Sequence, residues 1–259
     1  MSRKILIADC ETSPHLCYSF QTYNTNISPA QVIEPTRMIS FAAGWADKKA
    51  VEFHSEYEGF GPYPTREACH QHMVERAHRL LDEADVFVHY NGDRFDVLHM
   101  NREFELAGLK PPSPYISVDL YRVFKKNQVY AFHKLAWITE QLQLSGKMDN
   151  SGWRLWRNVL SEDEEVRRKA WLEMRRYNKQ DVVTTRELFH RAKHLITNLP
   201  SPHLFDEDAP ELSCSSCEGT NVQRRGYAVK QTRKYPRYQC SDCGRWSTGT
   251  RSVGSVGLK

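Results

Sequence analysis

The sequence predicts an α/β protein, a mixed sheet with helices on its faces, followed by a small C-terminal domain that needs a staple. Three observations carry this. Short β-branched runs come first as consecutive strands and then alternate with amphipathic helical patterns. A proline- and acid-rich stretch, "LPSPHLFDEDAP", then interrupts the pattern and marks residues 199–212 as a linker. Finally, residues 213–259 hold too little apolar material for a core of their own yet carry two close cysteine pairs.

Taken in order, "KILIAD" is a β-branched strand that ends in acid, and "RMISFAAGWAD" and "KKAVEFHSEY" read as two further strands joined by a polar turn. That is the start of an antiparallel meander. In "TREACHQHMVERAHRLLDEA" the residues Met73, Ala77, Leu80, Leu81 and Ala84 recur at helical spacing, with Thr65 or Arg66 near the start. "DVFVHYN" follows as a buried strand. "DRFDVLHMNREFELAGL" is a second helix closed by Gly108, and the prolines of "KPPSP" stop it before a fifth strand at "YISVDL". From there to Leu199 the pattern is helical, with breaks near "LSGKMDNSGW".

At 259 residues, with 40% apolar and 26% charged side chains, the chain is globular rather than disordered. No apolar run reaches the roughly 18 residues of a membrane span, and "MSRKILIADC" lacks a signal-peptide core. These features predict a cytoplasmic protein without a membrane partner. The net charge of +4 hides an asymmetry: residues 211–259 hold nine Lys/Arg against three acids, a net of +6, so the remainder nets −2. A basic tail beside a faintly acidic body predicts a polyanionic partner.

Acids in the body fall in a telling arrangement. "ILIADCET" sets Asp9 and Glu11 at i and i+2 of a strand, so both leave one face of the sheet. Taken alone, that is no more than an exposed strand end. "VHYNGDRFDVLH" places Asp96 early in a helix, where an acid also suits the macrodipole. Asp181 is tested by phase. Val166, Ala170, Met174, Tyr177, Thr185, Leu188, Ala192 and Leu195 form an inward stripe, and Asp181 fills its gap, four residues from both Tyr177 and Thr185. A carboxylate there needs a positive partner, either an arginine such as Arg175 or Arg186 or a bound cation. Acids gathered from two strand ends and two helices suit two hard divalent cations, Mg²⁺ or Mn²⁺.

In that order, "ADCET", "NGDRFD" and "YNKQD" resemble the three motifs of the DEDD 3′→5′ exonuclease superfamily, in its tyrosine-type branch. The chain is similar over roughly residues 3–198 to the exonucleases related to family B DNA polymerases, with "VDLYRVFKK" and "HKLAWITEQLQLSGKM" between the motifs. The resemblance implies a ribonuclease H-like fold with a mixed five-stranded sheet, in a domain spanning residues 1–198. It implies that Asp9, Glu11, Asp96 and Asp181 hold two Mg²⁺ or Mn²⁺, and that Tyr177 reaches the scissile phosphate or attacking water. Asn91 would orient substrate, and Phe95 would pack the helix. The histidine-type branch needs His where this chain has Arg176. Asp93 is an acid the family motif lacks, and Trp153, Trp156 and Trp171 are assigned to packing.

The cysteines at the C-terminus read as C-x₂-C, Cys214 and Cys217, and again as C-x₂-C, Cys240 and Cys243. Two such knuckles supply four thiolates for one structural Zn²⁺, which would also be the missing staple. "YPRYQCSDCGRWST" is similar to zinc ribbons of nucleic-acid enzymes. Between the knuckles, Arg224, Arg225, Lys230, Arg233, Lys234 and Arg237 alternate with tyrosines including Tyr238, a mixture suited to phosphate contact and base stacking. The alternative is a purely structural ribbon that docks protein.

The expected activity is therefore metal-dependent 3′→5′ exonucleolysis of single-stranded or 3′-ended DNA or RNA. The alternatives are a structure-selective endonuclease on the same fold, or a nucleic-acid-binding protein with an inactive site.

Overall fold

The computed structural model describes residues 3–23, 25–146, 150–205, 210 and 212–257. Strand β1 (Ile5–Thr12) is the spine of the body because both its faces are apolar. Leu6, Ala8 and Cys10 point to one side, and Ile5 and Ile7 to the other. Two very short strands, β2 (Leu16–Cys17) and β3 (Val32–Glu34), pair into a small ribbon beyond its end. No periodicity announces elements of two and three residues. β4 (Met38–Trp45) and β5 (Glu52–Ser55) complete the meander.

Helix α1 (Arg66–Asp82) starts where Thr65 accepts a hydrogen bond from the Ala68 amide. β6 (Val86–His89), α2 (Asp96–Leu106) and β7 (Ile116–Asp119) follow. Gly108, at φ +68°, turns the chain out of α2 as expected. The remaining helices of the body are α3 (Leu120–Asn127), α4 (Leu135–Gln141), α5 (Trp153–Val159) and the long α6 (Glu164–Ala192).

The sheet runs β5-β4-β1-β6-β7, with β4 antiparallel and β6 parallel to β1. It is the mixed, helix-flanked sheet of five strands that the sequence predicts. α1 and α2 cover one face through Met73, Val74, Leu80, Met100 and Phe104. α6 covers the other through Val182, Leu188 and Phe189. Since residues of β1 alternate, Asp9 and Glu11 leave on the α6 face, in line with Ile5 and Ile7.

Within the expected linker a single turn of helix covers Pro202–Leu204, while residues 206–209 and 211 lie outside the described residues. The C-terminal part is a sheet of β8 (Val222–Val229), β9 (Arg233–Cys240), β10 (Trp246–Thr248) and β11 (Gly254–Ser255). β9 pairs with each of the other three. A bulge between Arg224 and Tyr227 is turned by Gly226 at φ +74°. Among the described residues no helix is long and apolar enough to cross a membrane.

Candidate active site

Asp9, Glu11 and Asp181 converge: one carboxylate oxygen from each lies within 4.8 Å of those of the other two. β1 supplies the first two from adjacent same-face positions, and α6 brings Asp181, which is only 4% exposed, against them. Arg186 donates to the carbonyls of Lys49 and Ala50, and Arg175 lies 5.4 Å from the Phe60 ring centre. All donors in this cluster are hard oxygens, which fits Mg²⁺ or Mn²⁺.

A pocket of about 660 Å³ opens over the cluster, and Asn91, Asp96 and Tyr177 line it as well. Asp96 stands slightly apart from the other acids. Its Oδ1 accepts a 2.9 Å hydrogen bond from the Cys10 amide, and burial raises its pKa above the ordinary carboxylate range. The chain reaches it through a tight turn at Gly92, where a Cβ would sit 2.6 Å from the His89 ring and 3.0 Å from Asp96 Oδ2. Asn91 enters that turn at φ +63°, its amide donating to Asp119 Oδ1 at 2.8 Å.

Tyr177 is 5% exposed, and its pKa is pushed far above the usual phenol. Burial is the first cause; the charges of Glu11, Asp181 and Asp9 and a hydrogen bond to Asp181 add to it. Burial and these acids thus favour the protonated phenol, whose hydroxyl can donate a hydrogen bond. Trp156 meets the Tyr177 ring edge-on at 6.2 Å, so one of the tryptophans assigned to packing packs on the site itself. Trp171 stacks on Tyr57 in the core, whereas Trp153 is exposed.

Sequence reading missed Asn178. It is fully buried, donates from Nδ2 to Asp9 Oδ2 at 2.6 Å, and accepts from Ser40 Oγ at 3.1 Å. The available signal was an amide three residues before Asp181 on the same helix. Lys134, His133, Arg94 and Tyr121, which line the pocket rim, were also missed.

The extra acid Asp93 points away from the cluster. Gly92 N–H donates to His89 Nδ1, which leaves the His89 proton on Nε2, 2.8 Å from Ser117 Oγ. Ser117 donates to Asp93 Oδ1, and Arg122 pairs with Asp93 Oδ2 at 2.8 Å. The His89 hydrogen bond first, then Ser117 and Arg122, outweigh burial and hold Asp93 at a pKa of about 2. Both nitrogens of the His89 imidazole are therefore already used by hydrogen bonds, and Asp119 beside it accepts from the Asn91 and Tyr121 amides.

Residues 33–193 match the family model of the RNase_H superfamily. The chain belongs to the RNase H superfamily. Its five-stranded sheet is the RNase H-like sheet, and members of the superfamily are in general metal-using hydrolases of nucleic acid. The span matched to RNase H contains Asp96, Tyr177 and Asp181 and begins after β1, which carries Asp9 and Glu11. No curated protein matches the chain.

Outside the RNase H body, Cys214, Cys217, Cys240 and Cys243 form a second cluster. The Cys214–Cys243 and Cys217–Cys240 sulfurs are 3.6 Å apart, far beyond the ~2.05 Å of a disulfide. A tetrahedral ion with bonds of ~2.3 Å to sulfur sets edges near 3.8 Å, so the set fits Zn²⁺. The cluster lies against the end of α6: Arg245 donates to the carbonyls of His194 and Ile196, and Ser216 to that of Lys193.

The predicted nucleic-acid contacts of the ribbon lie on β8, β9 and the turn between them and are largely exposed. Arg224 and Lys234 flank the Tyr227 ring at 5.0 and 4.0 Å, and Lys230 lies 5.4 Å from Tyr235. Arg237 covers Trp246 at 4.7 Å, an aromatic the sequence reading passed over. Arg225 bonds Gln223, Arg233 is exposed, and Tyr238 is half-buried opposite Arg224.

Proposed function

We propose that this protein is a metal-dependent 3′→5′ exonuclease of the tyrosine-type DEDD branch, acting on DNA or RNA strands. The observation that carries the reading is the meeting of Asp9, Glu11 and Asp181 in one pocket, with Tyr177 one helical turn away and Asp96 on the same wall. Asp9, Glu11, Asp96 and Asp181 would hold two Mg²⁺ or Mn²⁺, which when bound neutralise charge at the phosphate and acidify water. Asn178 fixes the Asp9 carboxylate before any ligand arrives, which lowers the reorganisation needed during reaction. Tyr177, held protonated, donates its hydroxyl hydrogen toward the attacking water or a phosphate oxygen. Asn91 and the rim cations Arg94 and Lys134 orient the terminal nucleotide. Residues 1–198 form the catalytic unit, 199–212 the linker, and 213–259 a zinc ribbon that assists strand binding.

The test is digestion of 5′-labelled single- and double-stranded DNA and RNA with Mg²⁺ or Mn²⁺, beside Asp96→Asn and Asp181→Asn. A ladder shortening from the 3′ end, absent in both variants, is the expected result. Internal cuts in a circular substrate would mark an endonuclease instead. Tight binding without cutting would mark a binding module.

A further inference from the structure

The acidic pocket and the basic ribbon sit at opposite ends of the central strand. Arg3, just before β1, donates to the carbonyl of Pro200 and lies 3.6 Å from Glu218, next to the cysteine cluster. Glu11, near the other end of the same strand, belongs to the acidic pocket. At ~3.3 Å per residue, the two ends of this segment are roughly 26 Å apart. The contacts of Arg245 and Ser216 with the residues just after α6 hold the ribbon at that distal end.

From there β8 is mostly exposed, and on β9 Arg233, Lys234 and Arg237 are exposed. Cross-strand pairing puts Arg224, Tyr227 and Lys234 on one face of the ribbon, and Arg237 with Trp246 on the other. The first face offers an aromatic ring between two cations, a combination that suits a phosphate backbone with unpaired bases. The charge contrast between tail and body, +6 against −2, makes this the polyanion-binding end.

We infer that the ribbon is a distal anchor for the same strand whose 3′ end enters the acidic pocket, and that the enzyme prefers strands long enough to span both. This rests on the exonuclease reading. With ~3.4 Å per stacked nucleotide, the roughly 26 Å from the pocket to the end of the body where the ribbon docks corresponds to at least about seven or eight nucleotides on the 5′ side of the terminus. A strand held by the ribbon re-enters the pocket after each cleavage as an intramolecular event, whereas a shorter strand must rebind from solution.

The experiment compares 5′-labelled single strands of about five, ten and twenty-five nucleotides, for the wild type and for Arg224→Gln/Lys234→Gln with its zinc content measured. The wild type is expected to show kcat/KM on the longest strand about tenfold or more above that on the shortest, with the break at or beyond about eight nucleotides. In the double variant with zinc retained, the ratio should collapse toward one. Digestion at equal kcat/KM for all three lengths by the wild type overturns the anchor while leaving the exonuclease intact. So does a zinc-loaded variant that keeps the full ratio. No digestion at any length removes the exonuclease reading, and the anchor with it.

Discussion

Replacing Asn178 with alanine tests how the acidic pocket is held together. The side chain is fully buried, and two of its bonds are at stake: Nδ2 to Asp9 Oδ2 at 2.6 Å and Ser40 Oγ to Oδ1 at 3.1 Å. A hydrogen bond to a charged group contributes about 1.5–3 kcal/mol, and a buried hydroxyl stranded without its acceptor costs about 1–3 kcal/mol. Asn178→Ala should therefore destabilise the protein by about 3–5 kcal/mol, a fall of roughly 6–20 °C in Tm for a chain of this size. Urea unfolding followed by circular dichroism, in buffer without Mg²⁺ or Mn²⁺ so that the ribbon keeps its zinc, measures this without any contribution from ions in the acidic pocket. The slope should stay constant while the midpoint drops. A loss below about 1 kcal/mol would refute the claim that Asn178 fixes Asp9. If the midpoint falls as expected, isothermal titration with Mn²⁺ should also show weaker binding, because Asp9 must then be ordered on binding.

Tyr177→Phe should leave Mn²⁺ affinity within about twofold and lower single-turnover cleavage by about 10²-fold, the smaller end of what a positioned proton-bearing group contributes; equal rates would remove the hydroxyl from the mechanism. Burial pushes the Glu103 pKa up, but bonds from His70, the Met38 amide and Arg102 outweigh it and lower it to about 2. A lowered folded-state pKa gives stability that is complete above the unfolded value near 4.5 and is lost as pH falls toward 2. The urea midpoint should accordingly drop between pH 5 and pH 2, and Glu103→Gln should flatten that part of the curve. Cys240→Ala should abolish stoichiometric zinc by mass spectrometry and open residues 213–257 to trypsin, with the far-ultraviolet signal of the body retained; zinc at full occupancy would exclude the four-cysteine site.

The parts of the site legible in the sequence are those governed by local periodicity. The i, i+2 spacing puts Asp9 and Glu11 on one face of a strand wherever that strand packs, and the helical phase turns Asp181 inward with Met174, Tyr177 and Leu188. Asn178 was not legible, since its partners are Asp9 and Ser40, 169 and 138 positions away, and nothing in a helical repeat announces them. The same holds for Asp93, whose direction follows from Ser117 on a neighbouring strand. Arg245 lay unread for a related reason: it is one more base in a basic tail until the carbonyls of His194 and Ile196 are brought to it by the fold.

The 169-residue separation bridged by Asn178 and Asp9 also bears on how the protein is made. At synthesis rates of about 5–20 residues per second, roughly 8–35 s pass between the emergence of Asp9 and that of Asn178. During that interval β1 can pair with β4 and β6, but the pocket lacks the helix that closes it. Loop closure over such a distance is slow and is rewarded only once α6 packs. A nascent chain on the ribosome therefore cannot bring Asp181 to Asp9 and Glu11 until α6 has emerged.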